Sequence, residues 1–189
     1  MTQGALNAHR RVLLQAAVGK TGGNALGAPV VHAGVVPPKA NAKPGDFDFL
    51  TGEWKIHNRK LNGTQWEEFA GEATVSGLLG GIASVEELRI PARNFSGMGL
   101  RLLDVERKLW ADYWVNGKSG ALTPPPSWGS FVEGVGTWDS EDREGDQPVI
   151  YRGVWDRITP KSCRWYQAAS TDDGKTWKTS WSMEWTRVP

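Results

Sequence analysis

From residue 177 to 185 apolar and polar side chains alternate without a break. Trp177, Thr179, Trp181, Met183 and Trp185 fall on one side, and Lys178, Ser180, Ser182 and Glu184 on the other. A period of two marks a strand with one face covered and the other wet. The run 163–169 before it, Cys-Arg-Trp-Tyr-Gln-Ala-Ala, carries the aromatic residues that pleated surfaces accommodate well. Between the two lie Ser170, Asp172 and Gly174. Short Ser and Asp side chains bond backbone N–H groups a residue or two along, and glycine takes positive φ at little cost. Together they predict one β-hairpin.

Short runs of the same kind recur from residue 54 onward. Strands are predicted at 54–61, 66–75, 82–90, 97–103, 109–115, 128–137 and 149–158, followed by the two hairpin arms. That makes about nine, spaced as in an all-β sandwich or barrel. Residues 46–54 read as a short helical turn feeding the first strand, Asn62-Gly63 as a two-residue hairpin turn, and 124–126 as a Pro-rich loop. No later segment repeats at 3.6 residues. Hairpin-length connections suit an up-and-down meander, and closure removes exposed edges. Gly77, Gly80, Gly81, Gly97, Gly99, Gly134 and Gly136 sit in or beside strands, where a closing sheet must bend. The expectation is an all-β fold: a single antiparallel up-and-down barrel of about eight to ten strands.

Charge and composition then divide the chain. Of 189 residues, the first 45 carry Arg10, Arg11, Lys20, Lys39 and Lys43 and no Asp or Glu, for a charge of +5. The remainder holds the other 17 basic residues against all 21 acidic ones, −4, and all 11 Trp lie beyond residue 53. Residues 1–45 are therefore expected to be an extension, with a short helix over 5–18 and a Gly-, Ala- and Pro-rich linker, and 46–189 the folded domain. Residues 10–17 are similar to a twin-arginine export signal, with Val31-His32-Ala33 as a cleavage site. Lys20, Asn24 and glycines interrupt the apolar core of that signal, so a cytoplasmic location is expected and export is the alternative. No stretch approaches the ~20 apolar residues of a membrane span.

The single Cys163 forms no intrachain disulfide and, set mid-strand, is expected to be a small buried hydrophobe. The three histidines are His9, His32 and His57, with His57 on the wet side of the first strand beside Lys55 and Arg59. No paired-His motif, Gly-rich phosphate loop or Gly-x-Ser-x-Gly elbow is present, so no metal and no cofactor are expected, and the hydrolase, kinase and dehydrogenase classes recede. The acidic domain lacks a basic stripe, which argues against a nucleic-acid partner. A homodimer is left open.

The remaining chemistry is aromatic. A barrel of this size can enclose one small ligand, and Trp supplies a large apolar wall with one hydrogen-bonding edge. Trp54, Trp110, Trp114, Trp155, Trp165 and Trp181, with Arg101 and Gln167, form the candidate ligand-binding set. The expected partner is a small hydrophobic or aromatic molecule; the alternative is that the indoles simply fill the core. On strand 82–90, Glu86 shares the more apolar side with Ile82, Leu88 and Ile90, so its carboxylate needs a partner there. Arg152 is the expected partner, with Arg101 second. An alternative function follows, a cofactor-free isomerase, cyclase or dehydratase using Glu86, Arg152 and Tyr151.

Three resemblances bear on this. Ser170-x-Asp172-x-Gly174-x-Thr176-Trp177 resembles the Asp-box of sialidases, which there lies away from the active site and implies only a hairpin turn. The motifs Phe47-Asp48-Phe49-Leu50-x-Gly52-x-Trp54, Trp66-x-Glu68-Phe69-x-Gly71, Leu78-Leu79-Gly80-Gly81, Gly99-Leu100-Arg101-Leu102, Trp165-x-Gln167-Ala168-x-Ser170 and Trp177-x-x-x-Trp181-x-Met183 are similar to a bacterial family of uncharacterised domains taken to be lipocalin-like, or calycin-type, barrels. That likeness implies a fold and no reaction. A looser one is to the nitrobindin type of barrel, which holds haem through a late His; this chain has no such His.

Overall fold

The computed structural model describes residues 37–122 and 124–189. The predicted N-terminal helix, the twin-arginine-like run, His9 and His32 lie outside the described residues. Ten strands follow one another: β1 Gly52–Asn62, β2 Gln65–Leu78, β3 Ala83–Ile90, β4 Phe95–Asp104, β5 Leu109–Asn116, β6 Ser127–Val132, β7 Val135–Glu144, β8 Gln147–Asp156, β9 Ser162–Ser170 and β10 Lys178–Arg187. Each pairs antiparallel with the next, and β10 returns to β1 to close the barrel. This is the lipocalin-like up-and-down architecture the alternation implies. Among the described residues, no helix is long and apolar enough to cross a membrane.

Two expectations need correction. The single strand expected over 128–137 is two, because Glu133 and Gly134 both take positive φ, 52° and 80°. Positive φ at both central residues is the geometry of a type I′ hairpin, whose twist matches the strands it joins. The strict alternation from Trp177 to Trp185 also breaks. A bulge between Thr179 and Trp181 shifts the register of β10 on β9. One extra residue exchanges the two faces. Trp181, Met183 and Trp185 point inward, whereas Trp177 precedes the strand and lies on the outside against Arg152, 3.9 Å from its guanidinium.

The 163–185 hairpin itself is held by its own turn. Asp172 Oδ1 accepts from the Thr176 N–H at 2.9 Å, and Asp172 Oδ2 from the Thr176 hydroxyl at 2.6 Å. The Ser170 hydroxyl donates to Asp172 Oδ1 at 2.8 Å and accepts the Gly174 N–H at 2.9 Å. The Thr176 bonds first, and the Ser170 bond after them, hold the Asp172 carboxyl down to about 2.

One end of the barrel is sealed by the chain that enters β1. Asn41 donates to Phe131 O, the Ala42 N–H to Lys108 O, and the Gly45 N–H to Gly81 O. Each acceptor lies at or beside a connection between consecutive strands. Arg187, at the end of β10, donates to Phe49 O and Thr51 O. So anchored, the 3-10 turn Asp48–Leu50 and the residue before it drive apolar groups into the barrel. Phe47 meets Trp110 edge-on at 4.9 Å, Phe131 at 5.1 Å and Trp138 at 5.5 Å. Leu50 is fully buried and accepts the Trp54 indole N–H at 2.7 Å.

The interior glycines make room for these rings. A Cβ at Gly129 would lie 2.5 Å from the Trp138 ring, and one at Gly97 would lie 2.0 Å from Trp114 Cζ2. Neither distance is physical, so a large inward indole and a glycine on the neighbouring strand form one packing unit.

Candidate functional site

Strand pairing decides what faces the lumen, since residues directly opposite on neighbouring strands share a face. From β1 the inward set is Trp54, Ile56, Asn58 and Lys60, and the register carries it around the barrel. Eight indoles point inward. Trp54, Trp110, Trp138, Trp155 and Trp185 crowd the sealed end, linked by ring contacts such as Phe47–Trp110, Phe49–Trp155, Trp54–Trp185 and Trp155–Trp185. Trp114 and Trp181 stand nearer the other ends of their strands, and Trp165 packs edge-on against Trp181 at 5.9 Å. Trp66, Trp128 and Trp177 are outside.

The inward face also carries a band of polar side chains. Ser84 pairs with Arg101, Arg101 with Asp112 and Asp112 with Ser127, while Ser140 pairs with Tyr151 on β7 and β8. These residues trace a belt across β3 to β8, with Glu86 beside Arg101 at the next inward position of β3. Glu86 is 0% exposed and Arg101 4%. Arg101 donates through Nη2 to Glu86 Oε2, and its Nε lies 3.7 Å from Asp112 Oδ1. The guanidinium is flanked by the faces of Phe47 at 5.1 Å and Trp155 at 5.4 Å. Burial works against its charge, but Glu86 and Asp112 outweigh that and hold Arg101 protonated, above its usual range.

On the opposite wall Asn58 and Gln167 are both fully buried. The Trp181 indole N–H donates to Asn58 Oδ1 at 3.0 Å, and Gln167 Nε2 donates to Ser180 Oγ, the residue at the bulge, at 3.4 Å. Lys60 places its ammonium over the Trp181 ring, 4.5 Å from the centroid. Toward the unsealed end, the Tyr151 hydroxyl donates to Glu144 Oε1; burial and that bond push the phenol well above its ordinary value.

Several of these buried polar atoms have no hydrogen-bond partner among the described residues: Asn58 Nδ2, Ser84 Oγ, Glu86 Oε1, Arg101 Nε and Nη1, Ser140 Oγ and Gln167 Oε1, as well as Trp185 Nε1 at the sealed end. All belong to inward-facing residues. Buried polar groups are ordinarily bonded, and each orphan costs about 1–3 kcal/mol.

The expected site residues are thus distributed unevenly. Glu86, Arg101, Gln167, Tyr151 and the six named indoles all face the interior. Arg152 does not, and the expected Glu86–Arg152 pair is corrected to Glu86–Arg101. Arg152 instead clasps Asp139 on the outer surface through Nε and Nη2, both at 2.7 Å. The reason is elementary: Tyr151 and Arg152 are neighbours on one strand, so period two sends them to opposite faces. Cys163 is buried, as expected, and burial first and Glu86 second push its thiol up to about 12. His57 is on the wet face, 3.4 Å from Glu68.

Asn58, Lys60, Ser127 and Ser140 are interior polar residues outside the set expected from the sequence. Asn58 and Lys60 had a signal, since they continue the Trp54–Ile56 side of β1. The serines had none, because their alignment exists only once five pairings are known.

The fold and interior together define a closed lipocalin-like barrel, apolar and sealed at one end and lined with buried polar groups beyond it. Its resemblances are structural. No family model matches the chain. No curated protein matches it either. The S-type phycobiliprotein lyase CPES from Guillardia theta is similar over 76% of this chain and 90% of its own, with 12% identity and a TM-score of 0.50. A DUF3598-family protein of unknown function from Nostoc punctiforme aligns at 11% identity and TM-score 0.47, over 80% of this chain and 52% of its own. Rv2717c from M. tuberculosis aligns at 11% and 0.48, over 79% and 100%. At such identities the likeness to the lyase concerns the fold alone.

Proposed function

We propose that this barrel binds a small, largely aromatic molecule within its interior. Trp114, Trp165 and Trp181 supply flat apolar walls, and the belt from Ser84 to Tyr151 with Asn58 and Gln167 supplies polar contacts that orient the guest. The observation that carries this is the set of buried, inward-facing polar atoms on Asn58, Ser84, Glu86, Arg101, Ser140 and Gln167 without hydrogen-bond partners among the described residues. A core built only for stability has no use for them, whereas ligand sites combine apolar walls with a few placed polar groups. The sealed end is packed by Phe47 and its neighbours, so the guest lies beyond it, toward Tyr151 and Asn58. That the fold is shared with a phycobiliprotein lyase fits a ligand-handling barrel without specifying the ligand.

Native mass spectrometry of the protein purified from its own host tests this. The expected result is a one-to-one complex with a small organic molecule, or uptake of one from a panel of flat aromatics. Protein that arrives empty and takes up none of the panel overturns the proposal.

A further inference from the structure

Resting on that proposal, a contrast between the inner and outer faces narrows the ligand. Two arginine–carboxylate pairs on the outside are two-pointed. Arg152 reaches both oxygens of Asp139, and Arg164 reaches both oxygens of Asp156, in each case through Nε and Nη2. This is the fork-to-fork geometry that satisfies both groups at once. The pair inside is different. Arg101 and Glu86 touch through Nη2 and Oε2 alone, which leaves Oε1 of Glu86 and both Nη1 and Nε of Arg101 without a hydrogen bond although both residues are buried, Nε lying 3.7 Å from Asp112 Oδ1. The two outer pairs are part-exposed, whereas the inner pair is buried on both sides.

The inner geometry is held in place rather than loose. Phe47 and Trp155 flank the guanidinium, and Asp112 stands beside Nε. Beneath the contact lies Gly99, where a Cβ would come to 3.2 Å from Arg101 Nη2 and 3.4 Å from Glu86 Oε2. With Nε set against the Asp112 carboxylate, the pair keeps one further unbonded donor, Nη1, and one unbonded acceptor, Oε1.

From this geometry we infer that the Glu86–Arg101 pair recognises a planar ring bearing an N–H next to a C=O, the edge of a cyclic amide. The ring N–H donates to Glu86 Oε1, and the ring carbonyl accepts from Arg101 Nη1. The two-point edge completes the fork that the protein leaves half made. A ring with only acceptors on that edge sets oxygen against Oε1 and is rejected, because two acceptors then face each other and the buried carboxylate oxygen still has no donor.

Three flat bicyclic probes of nearly equal size separate the possibilities: 2-quinolinone carries N–H beside C=O, coumarin replaces the N–H by a ring oxygen, and naphthalene has neither. Isothermal titration of the unmodified protein is expected to rank 2-quinolinone at least about tenfold tighter than either of the others, the scale of one charge-assisted hydrogen bond. In Glu86→Gln the acceptor is neutral, and the preference for 2-quinolinone over coumarin is expected to shrink severalfold. Equal affinities for all three overturn the inference while leaving the aromatic-binding proposal standing, as does an undiminished preference in folded Glu86→Gln. Absence of binding by any of them overturns both. Should Glu86→Gln not fold, the probe series alone decides.

Discussion

Trp181 donates its indole N–H to Asn58 Oδ1 at 3.0 Å, between two side chains that are both buried inside the barrel. The relationship fixes the orientation of an amide whose two ends are otherwise nearly indistinguishable, since an indole nitrogen can only donate. Oδ1 therefore faces Trp181, and Nδ2 lies over Gly71 of β2, where a Cβ would come to 2.9 Å from it. Trp181→Phe keeps an aromatic ring and removes the donor, orphaning Oδ1. A loss of about 1–3 kcal/mol is expected in urea titration, with the denaturant slope unchanged.

The sealed end rests on Phe47, buried against Trp110, Phe131 and Trp138. Phe47→Ala opens a cavity among rings that cannot all collapse into it. The expected cost is about 3–5 kcal/mol. Near-ultraviolet circular dichroism should weaken with it, because the edge-to-face contact with Trp110 and the tilted contact with Trp138 are gone. A change below about 1 kcal/mol would show that the segment entering β1 is not part of the core.

Gly97 and Trp114 cannot both keep their positions once a methyl group is added, given the 2.0 Å approach of a Cβ to Cζ2. Gly97→Ala is expected to displace the Trp114 ring toward the lumen and to cost about 1–3 kcal/mol as strain. Titration of an aromatic probe should weaken in parallel. Unchanged affinity in a folded variant would place the ligand away from Trp114.

Asp172 holds the turn between β9 and β10 as a carboxylate, its acidity raised by the Thr176 and Ser170 bonds. The sign follows from linkage: a carboxyl depressed to about 2 in the folded state stabilises that state above its unfolded value of about 4, and the contribution disappears as pH falls through about 2. Asp172→Ala should therefore be less stable than the unmodified chain at neutral pH, with the gap narrowing from pH 4 to pH 2. Denaturant midpoints measured across that range check it; a gap independent of pH contradicts it.

Much of the fold was legible because period-two alternation runs through nearly every segment after residue 53, and hairpin-length connections leave few topologies. What escaped was local. Val132 and Val135 flank Glu133-Gly134 so evenly that two strands read as one, although the turn is sharp. The bulge near Ser180 leaves no trace in composition, so Trp177 looked inward. The site was harder. In the middle of β4 the inward positions are Gly97, Gly99 and Arg101, while the outward ones are Met98, Leu100 and Leu102, so between Phe95 and Leu103 the hydrophobic signal is reversed. Glycines that seat indoles from the next strand, and an arginine paired across the sheet, make a buried face look wet. In sequence Arg101 is therefore a weaker candidate than Arg152 for the partner of Glu86, and only the register corrects it.

The 11 tryptophans offer the most direct test of the account. With indole nitrogens labelled with nitrogen-15, each Trp gives one resonance, and 2-quinolinone is titrated in. The account predicts that Trp114, Trp165 and Trp181 shift together and saturably, while Trp66, Trp128 and Trp177 on the outer surface stay where they are. Shifts confined to those outer three, or none at any position, would contradict a ligand-binding interior.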